Sequence, residues 1–280
     1  MAPKPVSIAV PGLERDMIAY TPATAADIWA AVDFVNIMTY DLINRRDTET
    51  QHHTSVRGSL EAVDRYLALG LPASKANLGF AFYAKYFETA PGEDCSTRPV
   101  GCPIVRAENP DGSDAGTSGT VTFETANYEP PAAPPANLTV SPEGTCGAGT
   151  SFTCVGLNNS TLGCCSQYGF CGGEQAHCGA GCQRGYGRCE GPDVAASWLK
   201  AVREGGEVDE VEGGAWYWDA DAELFWTWDT PALIARKFRD IVAARGLGGV
   251  MAWSLAEDSE DWSHIGAIAE GVKGLRTAAR

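Results

Sequence analysis

Eight cysteines, Cys146, Cys154, Cys164, Cys165, Cys171, Cys178, Cys182 and Cys189, crowd one short stretch of the chain. Thiols at that density do one kind of chemistry in an oxidising compartment, which is to cross-link. The same stretch has few apolar side chains beyond Phe152, Val155, Leu157, Leu162 and Phe170. Too small to offset its chain entropy by burial, it depends on the cross-links to fold. Zinc ligation is the rival use, and the adjacent Cys164-Cys165 without a C-x₂-C pair argues against it. Within the cluster, Ser166-Gln167-Tyr168-Gly169-Phe170 sets two aromatic rings beside a glycine turn. Outside it, Cys95 and Cys102 close a small loop of their own. His52, His53, His177 and His264 show no metal-ligand spacing and read as solvated loop residues. No metal and no other cofactor is expected.

The elements that must carry these groups follow from apolar patterning. Short apolar runs alternate with helical patterns: Val6 to Val10, Ala23 to Val32, Phe34 to Tyr40, Leu60 to Leu69, Ala76 to Tyr83. This is a βαβαβ reading, with near-continuous apolar runs of the kind that parallel strands buried on both faces need. Between Pro91 and Asn137 the pattern dissolves into glycine, proline, serine and acid, ending in the proline-rich run 129–135, a semi-rigid spacer. After the cysteine cluster the earlier style resumes, with a helix from Val194, short paired strands around Trp216-Tyr217-Trp218 and Phe225-Trp226-Thr227-Trp228, and a helix from Pro231 to Arg245. A buried strand follows at Gly249 to Leu255, then a helix from about Ile265. Trp216, Trp218, Trp226 and Trp228 alternate with period two and are expected to pack mainly on one face of a strand pair. The expected division is residues 1–128, a linker at 129–144, the cysteine module at 145–190, and 191–280.

Composition narrows the partners. With 36 acidic against 21 basic residues and a net charge of -15, binding to nucleic acid or to an anionic membrane surface is disfavoured and a neutral partner favoured. No apolar run is long enough for a membrane-spanning helix. The cysteines, with possible glycosylation sites at Asn137, Asn158 and Asn159, point to secretion. Yet Met1-Ala2-Pro3-Lys4 begins no signal peptide, so the expectation is that the parent protein extends N-terminally.

The order of these pieces resembles the C-terminal half of a family 18 glycoside hydrolase, the chitinase family built on a (β/α)8 barrel. Ser7-Ile8-Ala9-Val10-Pro11 looks like the fifth strand of such a barrel, Val35-Asn36-Ile37-Met38-Thr39-Tyr40-Asp41 the sixth, Leu78-Gly79-Phe80-Ala81-Phe82-Tyr83 the seventh and Gly248-Gly249-Val250-Met251-Ala252-Trp253 the eighth. The cysteine cluster resembles a hevein-like chitin-binding module. The implied fold is α/β, strands five to eight of a TIM barrel interrupted by that module, and the implied ligand is chitin or N-acetylglucosamine oligomers. The module resemblance implies the pairs Cys146–Cys165, Cys154–Cys171, Cys164–Cys178 and Cys182–Cys189, with Ser166, Tyr168, Phe170 and His177 on the sugar. Sugar rings pack a C–H face on an aromatic ring, and an acetamido group needs a small polar partner.

The barrel resemblance implies a site at the strand ends. There Tyr40 would hydrogen-bond the substrate's acetamido oxygen, itself the nucleophile, Asp41 would hold a neighbouring sugar, Met38 would lie beneath, and Tyr83 and Trp253 would line the subsite. The proton donor of the family ends an Asp-x-x-Asp-x-Asp-x-Glu run, which this sequence does not contain. The expectation is therefore chitin recognition without normal hydrolysis by this polypeptide alone, Glu257 and Asp258 being weak replacement acids. Alternatives are a non-catalytic, lectin-like chitin binder, or a chain with no stable fold because its outer strands lack neighbours.

Overall fold

The computed structural model describes residues 4–157, 162–259 and 261–278. In chain order its elements begin with β1 (Ser7–Pro11), α1 (Ala25–Ala31), β2 (Phe34–Met38), α2 (Val56–Ala68), β3 (Ala76–Ala81), β4 (Tyr83–Glu88) and β5 (Ser118–Thr122). The cysteine-rich region holds β6 (Thr139–Val140), β7 (Phe152–Thr153), β8 (Cys164–Cys165), β9 (Cys171–Gly172) and α3 (Gln175–Cys178). Then come α4 (Val194–Glu204), β10 (Glu207–Asp209), β11 (Gly214–Asp219), β12 (Leu224–Trp228), α5 (Pro231–Lys237), β13 (Gly249–Trp253) and α6 (Ser263–Ala278).

Four strands form a parallel sheet in the order β1-β2-β3-β13. Alternation sorts its two faces: Val10, Val35, Ile37, Leu78 and Phe80 are fully buried in the main core, which also takes in Trp29, Val63 and Tyr66 from α1 and α2 and Leu233 and Ile234 from α5. The other face carries Asn36, Met38, Asn77 and Met251, and Asn77 Nδ2 donates to Asn36 Oδ1 at 2.9 Å. Helix α2 starts earlier than its apolar stripe, because Ser55 caps it by accepting from the Gly58 N–H at 3.0 Å. Gly70, at φ 82°, turns the chain after it. Helix α5 begins at Pro231 under a Thr230 cap and runs on into a π-helical turn, Phe238–Ala243.

A second, antiparallel sheet runs β10-β11-β12-β4-β5. Tyr83 therefore opens β4 rather than ending β3. The four tryptophans do not share a face. Register pairs Trp216 with Thr227 and Trp218 with Phe225, whereas Trp226 and Trp228 stand opposite Tyr217 and Ala215. Trp226 and Trp228 turn inward on Trp198 of α4, and Trp226 Nε1 donates to Ser197 Oγ at 2.9 Å. The period of two holds within each strand, but the register offsets the two strands by one residue.

The cysteine region is pinned by Cys146–Cys165, Cys154–Cys171, Cys164–Cys178 and Cys182–Cys189, and Cys95–Cys102 ties a loop beyond β4. Thr139–Val140, at the end of the proline-rich run, pair with β7, so the chain enters this unit already hydrogen-bonded to it. The unit is seated on the sheets: Ala180 is buried in the main core, and its N–H donates to Gly116 O at 3.3 Å. Asn137 is exposed, while Asn158 and Asn159 lie outside the described residues.

Candidate functional site

Beyond β2 the chain makes a tight turn whose side chains converge. Thr39 Oγ1 donates to Gly79 O at 2.6 Å, Tyr40 is buried, and Asp41 takes φ 55°, a left-handed conformation that costs a non-glycine residue about 1 kcal/mol or more. Position 79 must be glycine, since a Cβ there would stand 2.5 Å from Ile37 O and 2.9 Å from the Tyr40 ring. The turn is braced from behind, where Thr54 Oγ1 at 3.1 Å and Ser59 Oγ at 3.3 Å both donate to Thr39 O. Thr54 in turn receives Lys237 Nζ at 2.8 Å, and that buried ammonium also meets Asp229 Oδ2 at 2.6 Å.

On the front, Tyr83 Oη donates to Asp41 Oδ1 at 2.9 Å and Lys85 Nζ to the same oxygen at 3.0 Å. Tyr40 and Tyr83 meet edge to face at 6.2 Å, and Tyr40 Oη lies 3.9 Å from Met251 Sδ, with Met38 packed on the same cluster. Burial first, then the Asp41 and Glu257 charges, push the Tyr40 phenol up to about 12. Burial and the same carboxylates push Tyr83 higher still. Both phenols are proton donors throughout the physiological range. Trp253, closing β13, is 58 % exposed and pairs along the sheet with Ala81 of this cluster. The structure thus brings Met38, Tyr40, Asp41, Tyr83 and Trp253 to the carboxyl ends of neighbouring strands.

Glu257 and Asp258 are engaged otherwise. Glu257 Oε2 accepts the Ser254 N–H at 2.9 Å, and Asp258 accepts from His264 Nδ1 at 3.1 Å and from the Ile265 N–H at 2.9 Å. Each serves as a cap or anchor for the segment after β13.

Two participants escaped the sequence reading. Lys85 lies two residues beyond Tyr83, and on a strand i and i+2 share a face; ending the strand at Tyr83 hid it. His53 is fully buried with its ring 5.2 Å from that of Tyr83, and burial holds its pKa well below the usual value. His52 and His264 are also buried, so three of the four histidines are not solvated loop residues. The loop carrying His52 and His53 looks polar in sequence but runs beneath the antiparallel sheet, where His52 faces Asp209 at 3.5 Å and Thr227 at 3.4 Å.

In the cysteine module, Gly169 at φ 80° lets the chain reverse so that both flanking rings face outward, Tyr168 75 % and Phe170 55 % exposed. Ser166 is buried, and its Oγ accepts the Phe170 N–H at 3.2 Å. His177 is half-buried against Gly172, and its Nδ1 has no partner among the described residues. A cavity of about 750 Å³ lies apart from both clusters, between the module's exit and strands β4 and β11. Two ion pairs close part of its wall, Lys200 with Asp219 at 2.7 Å and Arg184 with Asp193 at 3.3 Å, while Glu88 Oε1 is without a partner among the described residues; no aromatic ring lines it, so the aromatic clusters are the better candidates for a sugar.

The family described as Glycosyl hydrolases family 18 matches residues 3–258. Among curated proteins, a non-secreted LysM effector of Gibberella moniliformis is 53% identical over 51 residues, 18% of this chain and 6% of that protein. A chitin deacetylase of Pestalotiopsis sp is 47% identical over 49 residues, 18% of this chain and 15% of that protein. Among solved structures, a chitinase from Rhizomucor miehei superposes with a TM-score of 0.54 at 16% identity, covering 95% of this chain and 61% of that one. A Group IV chitinase from Ostrinia furnacalis in complex with allosamidin gives 0.56 at 15%, covering 96% and 57%. A chitinase-like agglutinin from Robinia pseudoacacia gives 0.52 at 18%, covering 95% and 54%. At such identities the likeness is one of fold, and the chain spans little more than half the length of these structures.

Proposed function

Because the chain belongs to glycosyl hydrolases family 18, we propose that it recognises β-1,4-linked N-acetylglucosamine polymer through both the strand-end cluster and a hevein-like cysteine module. The four-stranded parallel sheet is read as strands five to eight of a barrel, the antiparallel sheet as a wall built on strand seven, and residues 145–190 as the module. In this reading Tyr40 donates to the acetamido oxygen, Asp41 holds a neighbouring sugar with Tyr83 and Lys85 fixing its orientation, and Met38 and Trp253 form the floor. Tyr168 and Phe170 stack on sugar faces, with Ser166 and His177 behind them.

The observation that carries the reading is the outward projection of Tyr168 and Phe170 from a small cross-linked scaffold. Exposed rings on a rigid support bind a C–H face at little entropic cost. The two curated relatives named above match over 51 and 49 residues, about the length of the module, and one is named a chitin deacetylase. Five disulfides support secretion.

Hydrolysis is assigned to the complete family architecture rather than to these residues alone. No Asp-x-x-Asp-x-Asp-x-Glu run is present, and the carboxylates near the site are engaged in bonds within the chain, Asp41 by Tyr83 and Lys85 and Glu257 by the Ser254 N–H. A missing general acid costs on the order of 10²- to 10⁴-fold in rate. The same bonding pattern favours a second reading, a lectin-like binder that does not cut. Retention of the oxidised chain on insoluble chitin but not cellulose, lost in Tyr168→Ala, tests recognition. Release of soluble chitooligosaccharide above the blank would refute inactivity.

A further inference from the structure

The cysteine module and the strand-end cluster are joined by one strand. At its start, β5 follows Gly116, which lies against Gln175 and Ala176 of α3 and receives the Ala180 N–H at 3.3 Å. At its end, Thr122 pairs with Tyr83, and the next residue, Phe123, donates its N–H to Glu257 O at 2.9 Å, just beyond Trp253. On β4 the Tyr86 hydroxyl lies against Gly119 of β5, and burial first, then the Glu88, Asp114 and Tyr168 charges, push its pKa up. Five strand residues at about 3.4 Å each make this span roughly 17 Å, the reach of a few linked sugars.

The outer side of β5 is open. It is the edge of its sheet, and its ladder with β4 uses Thr117 O, which accepts the Glu88 N–H at 2.9 Å, and the Phe123 N–H, which donates to Phe82 O at 3.3 Å. In an antiparallel pair such bonds alternate, so the N–H and C=O of Ser118 and Thr120 point away from β4. Thr120 is exposed and Ser118 half-exposed. The edge thus offers neutral donors and acceptors and hydroxyls, the chemistry that pairs with acetamido and hydroxyl groups of an uncharged polymer. On a chain of net charge -15 it does not suit an anionic one.

We propose that the β5 edge is a track along which a single N-acetylglucosamine chain runs from the rings of the module to the strand-end cluster, making the two one extended site. This rests on the amino-sugar reading above. The module is then a guide held in fixed register with the cleft, not a tether at the end of a linker.

The test is titration of the full oxidised chain with chitotriose and chitohexaose, read by calorimetry and by amide shifts. Joining two subsites in one ligand is expected to tighten the hexamer by at least about tenfold over the trimer, with shifts at Ser118 and Thr120 that the trimer bound at Tyr168 does not produce. Thr120→Pro removes one outward N–H at an edge position where proline is tolerated. It is expected to cut the hexamer's advantage several-fold and leave trimer binding unchanged. A trimer that binds at Tyr168 with a hexamer that gains nothing and leaves β5 unshifted overturns the track and spares the amino-sugar reading. Absence of any binding at Tyr168 removes both. Shifts at Thr120 that depend on protein concentration alone would mean that a second copy occupies the edge, and would overturn the track too.

Discussion

Replacing Lys237 with methionine probes the brace behind the strand-end cluster. Lys237 and Asp229 are both fully buried, and the ammonium donates to Asp229 Oδ2, Thr54 O and Thr54 Oγ1 at 2.6, 2.8 and 2.8 Å. Methionine fills similar volume but leaves the Asp229 carboxylate facing only Thr54 Oγ1, at 3.5 Å, among the described side-chain donors, and that hydroxyl's single proton is shared with Thr39 O. Removing one partner of a buried pair costs about 3–5 kcal/mol, because the remaining charge is uncompensated. With a urea slope of about 3 kcal/mol per molar, the unfolding midpoint should fall by more than ~1 M. Burial already raises the Asp229 pKa, and losing the cation raises it further. A carboxyl with a raised folded pKa costs stability above that pKa and not below its unfolded value, so the deficit of Lys237→Met should shrink as pH falls. Lys237→Met/Asp229→Leu should recover most of the loss. Since Thr54 also supports Thr39 O, short-oligomer binding at Asp41 should weaken a few-fold in the single variant. Urea denaturation at neutral pH that leaves Lys237→Met within about 0.5 kcal/mol of the parent would refute the reasoning, since no buried charge would have been stranded.

Burial and the Glu223 charge raise Glu88 to about 7, and its Oε1 has no partner among the described residues. Between its ordinary value and about 7 the unfolded chain ionises first, so Glu88→Gln should gain thermal stability progressively over that window and keep it above. The gain should be on the order of 1 kcal/mol after screening, with no difference at pH 4. Tyr83→Phe removes the 2.9 Å bond to Asp41, which should weaken oligomer binding at the strand ends by about 1 kcal/mol in calorimetry without altering the heat from the module. Reducing the disulfides should abolish retention on chitin while far-ultraviolet circular dichroism keeps most of the α/β signal, because the main core is not built on them.

The parallel strands were legible because each is a short apolar run with an unbroken alternation of core positions, Val35 and Ile37 or Leu78 and Phe80. The helices were legible through their caps and stripes, though α2 begins before its stripe because Ser55, not an apolar residue, starts it. Met38, Tyr40, Asp41 and Trp253 are singled out by a local pattern, which survives in sequence. What pattern reading missed was set by long-range pairing: the opposed faces of the tryptophan pairs, the buried histidines, and Lys85 beneath Asp41 all depend on which strand lies beside which. Local periodicity carries no information on register between segments far apart in the chain. The same limit applies to the brace, where Lys237 and Thr54 are separated by most of the chain.

Calorimetric titration of the oxidised chain with chitotriose tests the central claim most directly. Recognition of amino-sugar polymer by rings on a cross-linked scaffold predicts a saturable module heat that disappears in Tyr168→Ala and after reduction, leaving only the binding at the strand ends. A flat isotherm from correctly oxidised protein, or one that Tyr168→Ala leaves unchanged, would contradict it.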